Sequence, residues 1–268
     1  VTRVRGDNRD TVSLVALELA TGREVWAYQQ VPHDQWGYDV ASPPVLAEVT
    51  VDGRERQVVA QASKTGWVFM HDRRTGELLQ RSAPFVPQRN LFKAPTAEGV
   101  EVAPAILGGA SWSPMAYSPD AGSFFVAAIH QPATYYVRPL TPAPGKPWAS
   151  YAYMELSSTE RWGLLSAVDA GSGRLRWQQR TDEPLVGGVL ATAGGLVFTG
   201  EGNGFFSAFA AHDGERLWSW QAPFGVNAPP VSYRVGGRQY VAVAAGGNAL
   251  FGFATGDAIV AFALPLQD

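Results

Sequence analysis

Short apolar runs broken by glycine- and proline-bearing turns set the pattern of this chain, and blocks with the period of amphipathic helices are few. The run ending Trp26-Ala27-Tyr28, the run 124–129, and the pair 196–199 and 205–209 each read as strands. Gly200-Glu201-Gly202-Asn203-Gly204 joins that last pair and therefore reads as a hairpin turn, not a phosphate-binding loop.

The pattern repeats. Ala16, Gly22 and Trp26 recur at the same offsets as Ala167, Gly173, Trp177 and as Ala208, Gly214, Trp218. A fourth copy keeps the glycine but has Met70 and Gln80 at the flanking places, and a weaker one runs from Tyr117 to Gly122. Each unit reads as strand, tight turn with a glycine free to take positive φ, strand, and then a tryptophan set against the next unit. The 41 residues from Gly173 to Gly214 suit a four-stranded propeller blade. A sandwich of independent hairpins would not explain the repeated Trp offset. The expectation is an all-β chain, one β-propeller domain over residues 1–268, with four full blades and part of a fifth. The wider intervals from Gly22 to Gly76 and from Gly76 to Gly173 imply insertions, with the proline-rich run 139–147 as the longest loop.

Composition narrows the function classes. The chain has 268 residues, 46% hydrophobic and 17% charged, with a net charge of -3, which gives no electrostatic draw toward nucleic acid. It has no cysteine, so thiol and disulfide chemistry are excluded. No apolar run approaches a membrane span, and no leader-like pattern opens the chain. Val1 reads as the start of a fragment or of a processed chain.

The densest chemistry is His33-Asp34-Gln35-Trp36-Gly37-Tyr38-Asp39: a histidine, two carboxylates and two aromatics in seven residues. It offers a general base, a metal ligand and flat faces for a planar molecule. It equally suits a turn in which Asp34 or Asp39 caps backbone N–H groups while Trp36 and Tyr38 fill a core.

This stretch, followed by Ser42-Pro43-Pro44-Val45-Leu46, Ala62-Ser63-Lys64-Thr65-Gly66 and Asp72-Arg73-Arg74-Thr75-Gly76, resembles the active-site blade of the pyrroloquinoline quinone (PQQ) dependent dehydrogenases. The resemblance continues through Leu107-Gly108-Gly109-Ala110-Ser111-Trp112, Gly187-Gly188-Val189-Leu190, Gly194-Gly195-Leu196-Val197-Phe198 and Tyr240-Val241-Ala242-Val243-Ala244-Ala245-Gly246-Gly247. It implies an eight-bladed ring of which this chain matches the C-terminal half, with residues 258–263 closing against absent N-terminal blades. It also implies oxidation of an alcohol or sugar-like substrate by hydride transfer to PQQ, a calcium or lanthanide ion, a cytochrome c-type electron acceptor, and a periplasmic or secreted location.

Residue by residue, the resemblance places Lys64 on the quinone oxygens, Ser111 and Trp112 near the cofactor where Asn-Trp is usual, and Gly187 and Gly188 where Trp-Gly-Gly is common. It places Gly37 on the catalytic aspartate. Asp39, two residues on, matches an extra ligand of lanthanide-using members and is the candidate metal ligand, displaced base or turn cap. The remaining metal ligands and the ring beneath the quinone would lie in the missing half. An open half-ring exposes strand edges and blade faces, so a partner is expected: an N-terminal half-propeller chain or a second copy. The alternatives are a catalytically silent propeller holding a planar ligand through Lys64 and Trp112, and a protein-binding scaffold like the propeller lipoproteins of outer-membrane assembly.

Overall fold

The computed structural model describes residues 6–139 and 150–264; beyond Pro139, the proline-rich run lies outside the described residues. β1 (Ser13–Leu17) and β2 (Glu24–Gln29) form a two-stranded sheet. β3 (Val45–Val51), β4 (Arg54–Ala62), β5 (Val68–Asp72) and β6 (Leu78–Arg81) make a four-stranded antiparallel meander. β7 (Val100–Val102) precedes the next blade, built from β8 (Ala116–Ser118) and β9 (Ser123–His130). A hairpin of β10 (Ala133–Pro139) and β11 (Ser150–Leu156) interrupts that blade before β12 (Trp162–Asp169) and β13 (Leu175–Thr181) complete it. The hairpin pairs with β7 in a sheet of its own. It accounts for the long interval between the glycine repeats.

β14 (Leu190–Ala191), β15 (Leu196–Gly200), β16 (Phe205–Ala210) and β17 (Arg216–Gln221) form the third complete blade. β18 (Val231–Val235), β19 (Arg238–Ala245) and β20 (Ala258–Ala263) form a three-stranded sheet. The described residues therefore hold five blade sheets, as the repeats imply, but only three have all four strands; four full blades were expected.

The turn glycines behave as the repeat requires: Gly22, Gly76, Gly173 and Gly214 all have φ between 68° and 78°. Gly76, Gly173 and Gly214 also receive the docking side chain, whereas Gly22 has open space around it. A Cβ on Gly76 would stand 2.6 Å from the Trp26 ring, and one on Gly214 2.6 Å from Trp177. Trp26 Nε1 donates to Arg73 O (3.1 Å) and Trp177 Nε1 to Ala211 O (3.0 Å). Gln80, where a tryptophan is missing, still docks: a Cβ on Gly173 would stand 2.6 Å from its amide, and with that amide turned over its nitrogen would donate to Gly171 O (2.9 Å) and its oxygen accept from Gly173 N (2.6 Å). In each case the residue is the third of its strand, in β2, β6 and β13. That register identifies β1 and β2 as the third and fourth strands of their blade.

The core lies between adjacent sheets. Val49, Val58, Met70, Phe124, Val126 and Val168 join the second and third sheets in one apolar cluster, and Phe125, Leu165, Trp177, Val197 and Phe209 join the third and fourth. β9 is buried at all eight positions because it has neighbours on both faces, whereas β18 is exposed at all five. Val231, Tyr233, Val235 and Ile259 on the last sheet, and Leu17 and Val25 on the first, remain exposed.

Candidate functional site

In an antiparallel meander, the loop entering the first strand and the turn joining the second to the third emerge on one face. The docking turns lie on the other. Every residue nominated above falls in the first group. Gly37 and Asp39 enter β3, Lys64 joins β4 to β5, Ser111 and Trp112 enter β8, and Gly187 and Gly188 enter β14.

The first entry loop is organised by Asp34, 1% exposed, whose Oδ1 accepts from Trp36 N (3.0 Å) and Gly37 N (3.1 Å). This is the turn-capping role, and it belongs to Asp34. Trp36 Nε1 donates to Lys93 O (2.9 Å), Tyr135 OH donates to Trp36 O (2.8 Å), and Tyr38 OH donates to Pro104 O (2.7 Å). Burial pushes the Tyr38 and Tyr135 phenols well above their usual range, so both stay protonated donors. Gly37 sits at φ +79°, and a Cβ there would lie 2.8 Å from Ile106 Cδ1.

Lys64 meets that loop. Its side chain is 4% exposed, and Nζ donates to Asp39 Oδ2 (2.8 Å) and to Gly37 O (3.1 Å). A buried ammonium requires such partners. Asp39 is 55% exposed, which leaves carboxylate surface open to the rim. The second entry loop packs behind Lys64: Ala110 N donates to Ser63 O (3.1 Å), and Gly109 approaches the Lys64 backbone too closely for any Cβ. Ser111 is buried and Trp112 is exposed.

Gly187 and Gly188 join the same rim one blade on. Val189 N donates to Pro114 O (3.0 Å), and a Cβ on Gly188 would lie 2.9 Å from Pro114 and 2.8 Å from Pro229. His33, at φ 48°, turns its Nδ1 to Gly6 O (2.8 Å).

A buried polar chain was not anticipated. Gln30 Nε2 donates to Gln61 Oε1 (3.0 Å), Gln61 Nε2 to Ser42 O (2.7 Å), and Ser42 Oγ to Ser113 O (2.9 Å), so two entry loops are tied through β4. Isolated glutamines and serines carry no pattern that would reveal it. Among the described residues no group of three His, Cys, Asp or Glu could hold a metal ion. Asp39 is far from the 6 to 8 oxygens that calcium takes, so this chain's described residues do not by themselves fit the ion.

A polar rim over an arc of docked, tryptophan-bearing blades defines a propeller of the quinoprotein type. The family model for the PQQ-dependent glucose/ethanol/alcohol dehydrogenase beta-propeller domain matches residues 1–89 and 82–241, and the chain belongs to that family. A quinoprotein ethanol dehydrogenase of Pseudomonas aeruginosa is 33% identical over 265 residues, covering 90% of this chain and 42% of that protein. A quinohemoprotein alcohol dehydrogenase of Pseudomonas putida is 35% identical over 281 residues, covering 93% of this chain and 39% of that protein. Among solved structures, the Pseudomonas putida quinohemoprotein alcohol dehydrogenase matches with a TM-score of 0.80 at 33% identity, over 89% of this chain and 39% of that one. A europium-containing methanol dehydrogenase matches at 0.79 and 28% identity, over 90% and 45%. The chain thus spans about two fifths of the length of the curated relatives it matches.

Proposed function

We propose that this chain is the C-terminal half of a PQQ-dependent dehydrogenase propeller that oxidises an alcohol or sugar-like substrate, in which position 37 has lost the usual catalytic aspartate. The carrying observation is the buried Lys64 ammonium, held at 2.8 Å from Asp39 on the rim where the entry loops meet. PQQ, when bound, accepts the hydride from the carbinol carbon. Lys64 would donate to a quinone oxygen, and Ser111 and Trp112 would flank the ring. Gly37 has no group to take the hydroxyl proton, so Asp39, the carboxylate paired with Lys64, is the candidate base and the candidate metal ligand. Further ligands for calcium or a lanthanide must come from outside the described residues.

Strand counts favour a separate half-propeller over a second copy. Among the described residues, the first sheet has two of a blade's four strands and the last has three. Joining the first sheet of one copy to the last of another would put five strands where a blade takes four. The missing strands are therefore assigned to an N-terminal half, on the same polypeptide or another, with a cytochrome c-type acceptor and a periplasmic setting as in the family expectation.

A second reading, a catalytically silent scaffold, draws on the left-handed backbone at Gly37. Titrating the assembled protein with PQQ tests the quinone site, and dye-linked dehydrogenase activity of the loaded protein separates the two readings. Lys64→Ala is expected to weaken binding by at least about tenfold. Equal affinity of the variant and the parent would overturn the quinone reading.

A further inference from the structure

Tyr135 grips the Gly37 loop from outside the blades. It is the third residue of β10, in the hairpin that interrupts the third blade, and it pairs with Val100 of β7 and Met154 of β11. It is 3% exposed and packs in one apolar cluster with Trp36, Tyr38, Val100 and Val102. Its one oxygen serves two loops: Tyr135 OH donates to Trp36 O (2.8 Å) and accepts from Ile106 N (2.8 Å). Trp36 O and Gly37 N belong to the same peptide group, and Asp34 Oδ1 accepts from Gly37 N (3.1 Å). A peptide group is planar, so a bond at its carbonyl and another at its N–H together fix the plane from which Gly37 continues. Ile106, on the second bond, is the residue whose side chain would stand 2.8 Å from a Gly37 Cβ, so the same phenol also sets what packs against Gly37. One step beyond that plane, Gly37 O accepts from Lys64 Nζ (3.1 Å). Asp39, the other partner of Nζ, is 55% exposed, which leaves the Gly37 carbonyl as the partner held by the core.

We propose that Tyr135 is a positioning residue of the quinone site: through the peptide joining Trp36 to Gly37 it aims the Gly37 carbonyl, and that carbonyl sets where the Lys64 ammonium points. The inserted hairpin is thereby part of the site. For its ligand the inference rests on the quinone-binding reading above, while the coupling of Tyr135 to Lys64 rests on contacts within this chain. Tyr135→Phe keeps the ring in its cluster and removes the shared oxygen. One of the two grips on the peptide is then lost, the carbonyl is free to turn, and the ammonium loses a fixed acceptor.

The test titrates PQQ into the assembled protein for the parent, Tyr135→Phe, Lys64→Ala and the double variant, and follows reductive methylation of Lys64 by mass spectrometry in the parent and in Tyr135→Phe. Loss of the phenol is expected to weaken PQQ binding by about threefold to tenfold in the parent background. Added to Lys64→Ala it is expected to change nothing, because the effect runs through Lys64. Lys64 is expected to methylate several times faster in Tyr135→Phe. Equal weakening in both backgrounds, or none in either, would overturn the positioning role and leave the quinone reading standing. Failure of the parent to bind PQQ would overturn that reading, and the methylation rates then decide the coupling, which equal rates overturn. Should Tyr135→Phe not fold, amide exchange of the parent reads the same link: the Ile106 N–H, bonded to Tyr135 OH, is expected to exchange more slowly once PQQ is bound, and unchanged exchange would overturn the proposal.

Discussion

Gly37→Asp restores the residue type that the family resemblance expects, yet the structure opposes it twice. At φ +79° an L-residue other than glycine is strained, by about 1–2 kcal/mol. Its Cβ would also come within 2.8 Å of both Ile106 Cδ1 and Cγ1, and overpacking of that kind costs about 1–3 kcal/mol. The expected loss is about 2–5 kcal/mol. At about 2–4 °C per kcal/mol for a domain of this size, melting falls by several degrees or more. Adding Ile106→Ala removes the overlap but not the backbone strain, so a double-mutant cycle should show favourable coupling of about 1–3 kcal/mol. Melting gives the stability arm, and dye-linked dehydrogenase activity of the assembled protein gives the functional arm, in which the single variant gains nothing. Parental stability of Gly37→Asp, an additive cycle, or activity in the single variant would refute the reasoning.

Removing a docking ring should be as damaging as removing a core residue. Trp177, 9% exposed and bonded to Ala211 O, is expected to cost about 3–5 kcal/mol as Trp177→Ala, and a loss under about 1 kcal/mol would show that docking is incidental. Burial raises the Glu201 carboxyl above its ordinary value of 4.5, against the opposing pull of Arg216. The folded state then holds the proton more tightly than the unfolded state, so stability is fullest at low pH and declines as pH rises through the raised pKa. Glu201→Gln should therefore be relatively more stable than the parent at pH 8 than at pH 4, and parallel melting curves at the two pH values would contradict this. Burial lowers His71 and His130 below 6.5, which has the opposite sign: their contribution to stability is present above the unfolded value and is lost on acidification. Replacing both by glutamine should flatten the rise in melting midpoint between about pH 5 and 7, and an unchanged rise would assign it to other groups.

The blade architecture was legible because its period is local. An alanine, a turn glycine and a docking tryptophan at fixed offsets are steric requirements of one hairpin against its neighbour, and even Gln80 kept its place against the Gly173 turn. The hairpin of β10 and β11 escaped notice because β9 and β10 are separated by two residues and together resemble one long apolar stretch. At the site, residue types and spacing marked Lys64 and Asp39, but their pairing depends on how two loops distant in sequence meet.

Native mass spectrometry of the purified protein incubated with PQQ and either calcium or a lanthanide tests the central claim most directly, since one spectrum reports assembly and bound mass together. The account predicts a complex that includes the missing propeller half and carries one quinone, with Lys64→Ala losing the quinone from an intact complex. A bare chain that binds no PQQ in the presence of that half would contradict it and leave the dehydrogenase likeness as ancestry alone.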